Sequence, residues 1–278
     1  MNRNSAFQKI AAAPHTVWAV MFIVAPMLFV LYFAFTDAEG NFSFSNILEL
    51  SQYGNVFVLS IAFALIATVV CLIIGYPLAY FMAQQNPRTQ KILLVLVMLP
   101  MWCNLLIRTY ALMALLDNGG LLNSLLDKLG LDRLSIVGTN FGVILGMIYD
   151  FLPYMVLPIF TAMTKLNKQY IEAAHDLGCD RFTTMTRVIM PLTASGVVSG
   201  ITMVFVPSIS TFYISQKLGA GKIDLVGDTI ERLFQNPSTY NVGAAISLVM
   251  MVLILISVRI MNRFTDDEKD TSVAKGGI

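Results

Sequence analysis

Two residues of opposite charge, Arg108 and Asp150, stand inside long apolar runs of the chain. Where such a run crosses a bilayer, a charge costs at least about 2.5–3.5 kcal/mol and marks either a functional site or a buried pair. Asp150 has two possible uses. Its carboxylate can attract a cation, with Tyr149 and Tyr154 adding aromatic faces to which ammonium groups are drawn. It can equally pair with Arg108 and hold two helices together. The sequence leaves both open. Further polar or aromatic candidates are Trp102, Asn104 and Tyr110 in one apolar run, and Ser208 and Thr211 in another. Each could line a cavity or pack, and hydroxyls in such helices often bond their own backbone.

Other chemistries find no residues to carry them. Cys71, Cys103 and Cys179 form no C-x-x-C, and His15 and His175 are far apart, so no metal site is indicated. There is no Ser-His-Asp arrangement, paired-carboxylate motif or H-E-x-x-H. Gly219-Ala220-Gly221-Lys222 looks like part of a phosphate loop, but Gln216 and Ile223 occupy its first glycine and Ser/Thr positions. A net charge of +1 offers no basic field for nucleic acid.

The elements that must position these residues are membrane spans. Of 278 residues, 56% are hydrophobic and only 13% are charged, against roughly a quarter charged in soluble domains. Mean hydropathy is +0.71. Segments of about 20 apolar residues suffice to span, and six are present, at 18–35, 56–83, 92–116, 140–162, 192–214 and 243–262. The first is too long for an ordinary signal-peptide core and is read as a retained span. The chain is expected to be all-α, one polytopic domain over residues 1–278. With a cytoplasmic N-terminus, twelve Lys and Arg fall inside, among them Arg3, Lys9, Lys168, Lys269 and Lys275, and five fall outside. The positive-inside rule therefore places both termini in the cytoplasm. Six prolines lie within spans, where they kink helices. Gly142-x-x-x-Gly146 and Gly196-x-x-x-Gly200 favour close packing.

The loop at 163–191 joins the fourth and fifth spans. A short helix is expected from Lys168 to Leu177, capped by Asn167, with Tyr170, Ala173, Ala174 and Leu177 on one flat apolar face. Gly178 permits a left-handed stop, and Pro191 marks entry to the fifth span. Such a stiff helix can pass a partner's motion to the bundle. A helix lying on lipid is the alternative.

Glu172, Ala173, Ala174, Gly178 and Pro191 match the pattern E-A-A-x(3)-G-x(9)-I-x-L-P, with Val188 and Met190 replacing its isoleucine and leucine. In this the chain resembles the permease subunits of type I ABC importers. The runs Gly75–Ala79, Leu99–Tyr110 and Glu172–Gly178 are similar to the spermidine/putrescine branch of that family. The resemblance implies a six-span permease in a bacterial cell membrane, surrounded by lipid. It implies an ATPase dimer docked at Glu172, Ala173, Ala174, Leu177, Gly178 and Pro191, a second homologous permease, and an extracytoplasmic polyamine-binding protein. ATP and Mg would belong to the ATPase, leaving this chain with no cofactor, no metal and no catalytic residue. Alternating access would carry the polyamine past Asp150, Trp102, Asn104, Tyr110, Tyr149, Tyr154, Ser208 and Thr211. A same-class permease for an inorganic ion, thiamine or an amino acid is the near alternative; a channel or membrane enzyme is the distant one.

Overall fold

The computed structural model describes residues 13–37 and 39–275, with backbone alone for Lys168, Asn262 and 264–275. Arg3 and Lys9, and the side chains of Lys168, Lys269 and Lys275, which enter the charge count above, lie outside the described part. The described residues are nearly all helical, with one isolated antiparallel bridge between Thr36 and Phe42.

The long helices are α1 (Ala13–Ala34), α2 (Gly54–Ala83), α6 (Asn140–Thr164), α9 (Ala194–Ser210) and α12 (Tyr240–Lys275). Between them lie α3 (Pro87–Trp102), α4 (Leu105–Leu116), α5 (Leu121–Lys128), α7 (Lys168–Asp176), α8 (Arg181–Leu192), α10 (Tyr213–Leu218) and α11 (Val226–Phe234). Five described stretches are long and apolar enough to cross a membrane, Ala13–Ala34, Ser45–Ala83, Leu105–Lys128 (α4 with α5), Asn140–Thr164 and Tyr240–Met261, and the bent pair α8–α9 makes a sixth if counted as one; the span expected at 92–116 is thus moved to 105–128.

Two expected spans are not continuous. The run 92–116 breaks at Cys103–Asn104, where ψ rises to 146° and 134°. Pro100 offers no N–H to the helix before the break. The Asn104 side chain then caps α4 by accepting from the Leu106 N–H at 2.8 Å, an arrangement that favours a fresh helix start. The run 192–214 stops at Ser210, its next residue Thr211 being extended, and α10 starts at Tyr213. At its other end, α8 and α9 meet at 67°. Prolines leave a second signature. Wide π-turns at Val20–Val24 and Met185–Ile189 sit one turn before Pro26 and Pro191, where the proline ring would clash with the carbonyl four residues back.

Contacts divide the chain into two compact units. The smaller comprises the first helix and loop, to Asn55, with Thr229–Leu253. Ala34, Ala244 and Ala245 form its buried centre, with Phe33, Phe234 and Leu248 packed around. Tyr240 meets Phe33 and Phe234 edge-on at 5.0 and 4.8 Å. The Thr36 carbonyl accepts from the side chains of both Asn46 and Asn241, at 2.8 and 2.9 Å.

In the larger unit, Val56–Asp228 with the chain beyond Ile254, α6 is the central post. Slightly more than half of its most apolar stretch is buried, 56%, against 33% for the next most buried span. Its most extensive neighbour is α9, and small residues set that approach. A Cβ on Gly196 would lie 2.6 Å from the Ala162 Cβ and 2.8 Å from the Pro158 carbonyl; one on Gly200 would lie 2.8 Å from the Met155 sulfur. Gly146 is similarly covered by Leu218 and Ile214 of α10. A hydrogen bond of 3.0 Å between the hydroxyls of Tyr76 and Thr193 ties α2 to the α8–α9 bend. Large apolar side chains such as Phe22, Phe29 and Ile73 are exposed, by 63, 62 and 65%, the surface expected of helices solvated by lipid.

Candidate functional site

Arg108 sits near the start of α4 and Asp150 near the middle of α6, and the structure pairs them. The Arg108 Nε donates to Asp150 Oδ1, and Nη2 donates to the Asp150 carbonyl at 3.3 Å. Nη1 reaches back across the helix break to the Pro100 carbonyl at 2.9 Å. The Thr109 hydroxyl lies 3.0 Å from Asp150 Oδ2 and 2.9 Å from the Leu105 carbonyl; the carboxylate is the stronger acceptor of its single proton. Asp150 is fully buried and Arg108 is 7% exposed. The Tyr149 ring packs 5.9 Å from the guanidinium carbon. The structure shows the pairing that one reading of Asp150 expects, with both carboxylate oxygens engaged. The reason is the break itself. It exposes the Pro100 carbonyl to Arg108, and the guanidinium fork can satisfy that carbonyl and the carboxylate together.

The other proposed pathway residues fall in different settings. Asn104 serves as a helix cap. Trp102 ends α3 and is 70% exposed. Tyr154 is half-buried with its ring 6.3 Å from Phe151. Ser208 is fully buried and its hydroxyl has no partner among the described residues, while Thr211 is buried at the end of α9. Tyr110 stands apart. Its ring meets Tyr213 edge-on at 5.9 Å, and the Lys217 ammonium lies 4.9 Å from the Tyr110 ring centre and 5.5 Å from that of Tyr213. Lys217 was legible only as a loop charge. The signal for its role was the i, i+4 spacing of Tyr213 and Lys217, which places both on one face only once α10 is known to be helical.

The 163–191 segment folds much as its sequence suggests. Helix α7 runs from Lys168 to Asp176, and the Asn167 side chain caps it by accepting from the Gln169 N–H at 3.0 Å. Gly178 ends it with φ of +78°. Asp180 starts α8 by accepting from the Thr183 N–H at 3.2 Å, and the Thr183 hydroxyl and N–H hold the Asp180 carboxyl below the usual carboxylate range. Of the expected apolar face, Tyr170, Ala173 and Leu177 are exposed, Leu177 by 85%. Ala174 is not: it is buried at 5%, because α7 leans on the following π-turn and a methyl group fits that close approach. Phe182, 75% exposed, adds a large apolar side chain just beyond the turn. Glu172 is exposed and helps line a cavity of about 590 Å³ with Tyr80, Gln84, Gln90, Leu166 and Ile189. Pro191 is exposed near the end of α8.

A family model described as "Binding-protein-dependent transport system inner membrane component" matches residues 75–267. The chain is 36% identical over 270 residues to the spermidine/putrescine transport system permease protein PotB of Haemophilus influenzae, covering 94% of each. It is 35% identical over 246 residues to PotB of Escherichia coli, covering 85% of this chain and 90% of that one. A crystal structure of a bacterial alginate ABC transporter, in complex with alginate pentasaccharide-bound periplasmic protein, superposes with a TM-score of 0.76 at 19% identity, covering 95% of both chains. The chain belongs to the family of inner-membrane components of binding-protein-dependent transport systems. It is thus an ABC importer permease, a multi-pass protein of the bacterial inner membrane and not itself an enzyme. Membership implies an ATPase and a substrate-binding protein as partners.

Proposed function

We propose that this permease carries a polyamine, spermidine or putrescine, into the cell by alternating access. A cytoplasmic ATPase dimer docks on α7, a second homologous permease completes the pathway, and an extracytoplasmic polyamine-binding protein delivers the solute. ATP and Mg stay on the ATPase, and both termini are cytoplasmic. The solute class rests on the relatives' shared identity over nearly the whole chain. The docking rests on one observation: a short capped helix carries Leu177 and Tyr170 outward, 85 and 57% exposed, beside the outward-facing Phe182. Apolar side chains presented on a stiff polar element want a partner's groove more than water. Asp150, engaged by Arg108, lends no support to a cation pathway.

Uptake of labelled spermidine by proteoliposomes holding the complete transporter and its binding protein tests the reading. Saturable, ATP-dependent uptake is expected, with loss when Glu172→Lys is introduced. Uptake of an unrelated solute in place of polyamine would overturn the solute, and an unaltered Glu172→Lys transporter would overturn the docking site.

A further inference from the structure

The Tyr110–Tyr213 pair has a feature that chain packing does not require: an ammonium group is seated on it. Lys217 Nζ stands 4.9 Å from one ring centre and 5.5 Å from the other. Both distances lie within the roughly 6 Å over which a ring's negative face attracts a cation. Tyr110 remains 47% exposed and Lys217 is only half-buried, so the pair is reachable. Its place in the fold is a second, independent observation. Tyr110 belongs to α4, which starts after the Cys103–Asn104 break, and Tyr213 opens α10, which starts after the Thr211 break. Interrupted membrane helices tend to line the site where solute is held, because their irregular backbone is tolerated only against protein or a water-filled cavity.

A lysine side chain ends in a four-carbon alkyl ammonium, and putrescine is the same four-carbon chain with an ammonium at each end. A site that fits one fits an end of the other. We propose that Tyr110 and Tyr213 form an ammonium-binding site for the transported amine, and that Lys217 is a tethered stand-in which the incoming ammonium displaces. This rests on the polyamine reading above. A competing tether weakens net binding, and a solute on a transport path must be held loosely enough to leave.

The test uses the complete transporter with its binding protein in proteoliposomes, and reads the concentration of spermidine-loaded binding protein that half-saturates uptake. Lys217→Met is expected to lower that concentration about two- to five-fold, the range for one cation–π contact at a partly exposed site. Tyr110→Leu is expected to raise it, and to erase the gain from Lys217→Met when the two are combined. Lys222→Met, which removes an exposed nearby charge without touching the rings, is expected to match the wild type. Tyr110→Phe keeps the ring but removes the hydroxyl that the Lys217 ammonium and Tyr213 also meet; it is expected to half-saturate at or below the wild-type concentration, and a rise equal to that of Tyr110→Leu would overturn the ring as the binding element. If wild-type vesicles take up no polyamine, the functional reading and this site fall together. If they do, and Lys217→Met matches the wild type, or its gain survives Tyr110→Leu, or Lys222→Met gives the same gain, the tethered stand-in is wrong while the polyamine reading stands.

Discussion

A buried guanidinium with one carboxylate partner is an asymmetric contact. The Arg108–Asp150 pair contributes modest net stability, since desolvating both charges offsets most of their attraction, but removing one partner leaves the other buried and uncompensated. Asp150→Ala is expected to destabilise the purified permease by about 3–5 kcal/mol, read as a lowered thermal unfolding midpoint in detergent. The double variant Arg108→Met with Asp150→Leu is expected to recover most of that loss, because two apolar side chains leave nothing unpaired. Failure of the double variant to recover would mean that the Pro100 carbonyl, left without its donor, carries the cost instead. That two charges lie in apolar runs is legible from composition alone. That the two pair was not, because the pairing depends on a partner 42 positions along the chain and on a helix break brought opposite α6. Thr109 adds a contact that no spacing rule announces.

Helix interruptions decide much at the next scale. Long apolar runs and the polar loop between them announced most helices. Pro100 and Pro207 gave notice of kinks, but not of full breaks at Cys103–Asn104 and Thr211, since hydropathy averages over them and one cap or one extended residue suffices to turn the chain. Glycine spacing did foretell close packing, and the structure says against what: Gly196 and Gly200 lie on Ala162, Pro158 and Met155 of α6. Gly196→Val is expected to force the two helices apart and lower stability by about 1–3 kcal/mol, the usual cost of overpacking, measured by the same thermal midpoint. Gly178 belongs to a different case. Its added Cβ would meet open space, yet φ of +78° is disfavoured for any other residue. Gly178→Ala is therefore expected to strain the end of α7 by about 1–2 kcal/mol, impairing uptake more than stability of the bundle, which a ratio of transport rate to thermal midpoint would reveal.

For the whole molecule the question is what attaches where. Leu177→Asp replaces an 85% exposed leucine and is expected to leave the thermal midpoint unchanged while reducing recovery of the ATPase with affinity-purified permease. Equal recovery would remove α7 from the docking surface. Topology is a separate expectation. A Leu177→Cys variant in which Cys103 and Cys179, both free and accessible, are replaced by serine should react with a membrane-impermeant maleimide in inverted vesicles and not in intact cells. Class and fold were legible from six apolar runs and one spaced motif because both are constraints imposed by lipid and by a partner, and neither depends on side-chain detail. The solute class was legible only through the likeness of Gly75–Ala79, Leu99–Tyr110 and Glu172–Gly178 to a known branch, and not from any single residue's chemistry.

The clasp joining Arg108 to Asp150 also bears on how the protein is made. Synthesis delivers the arginine 42 residues before the aspartate. At a rate of about 5–20 residues per second, that is a wait of a few seconds. During the wait a bare guanidinium on a helix of twelve residues would have to enter hydrocarbon alone, against a barrier of a few kcal/mol. A segment that lingers at the insertion machinery, or rests with its arginine among headgroups, until the acidic helix arrives avoids that barrier, because the two then enter the bilayer as a neutral couple.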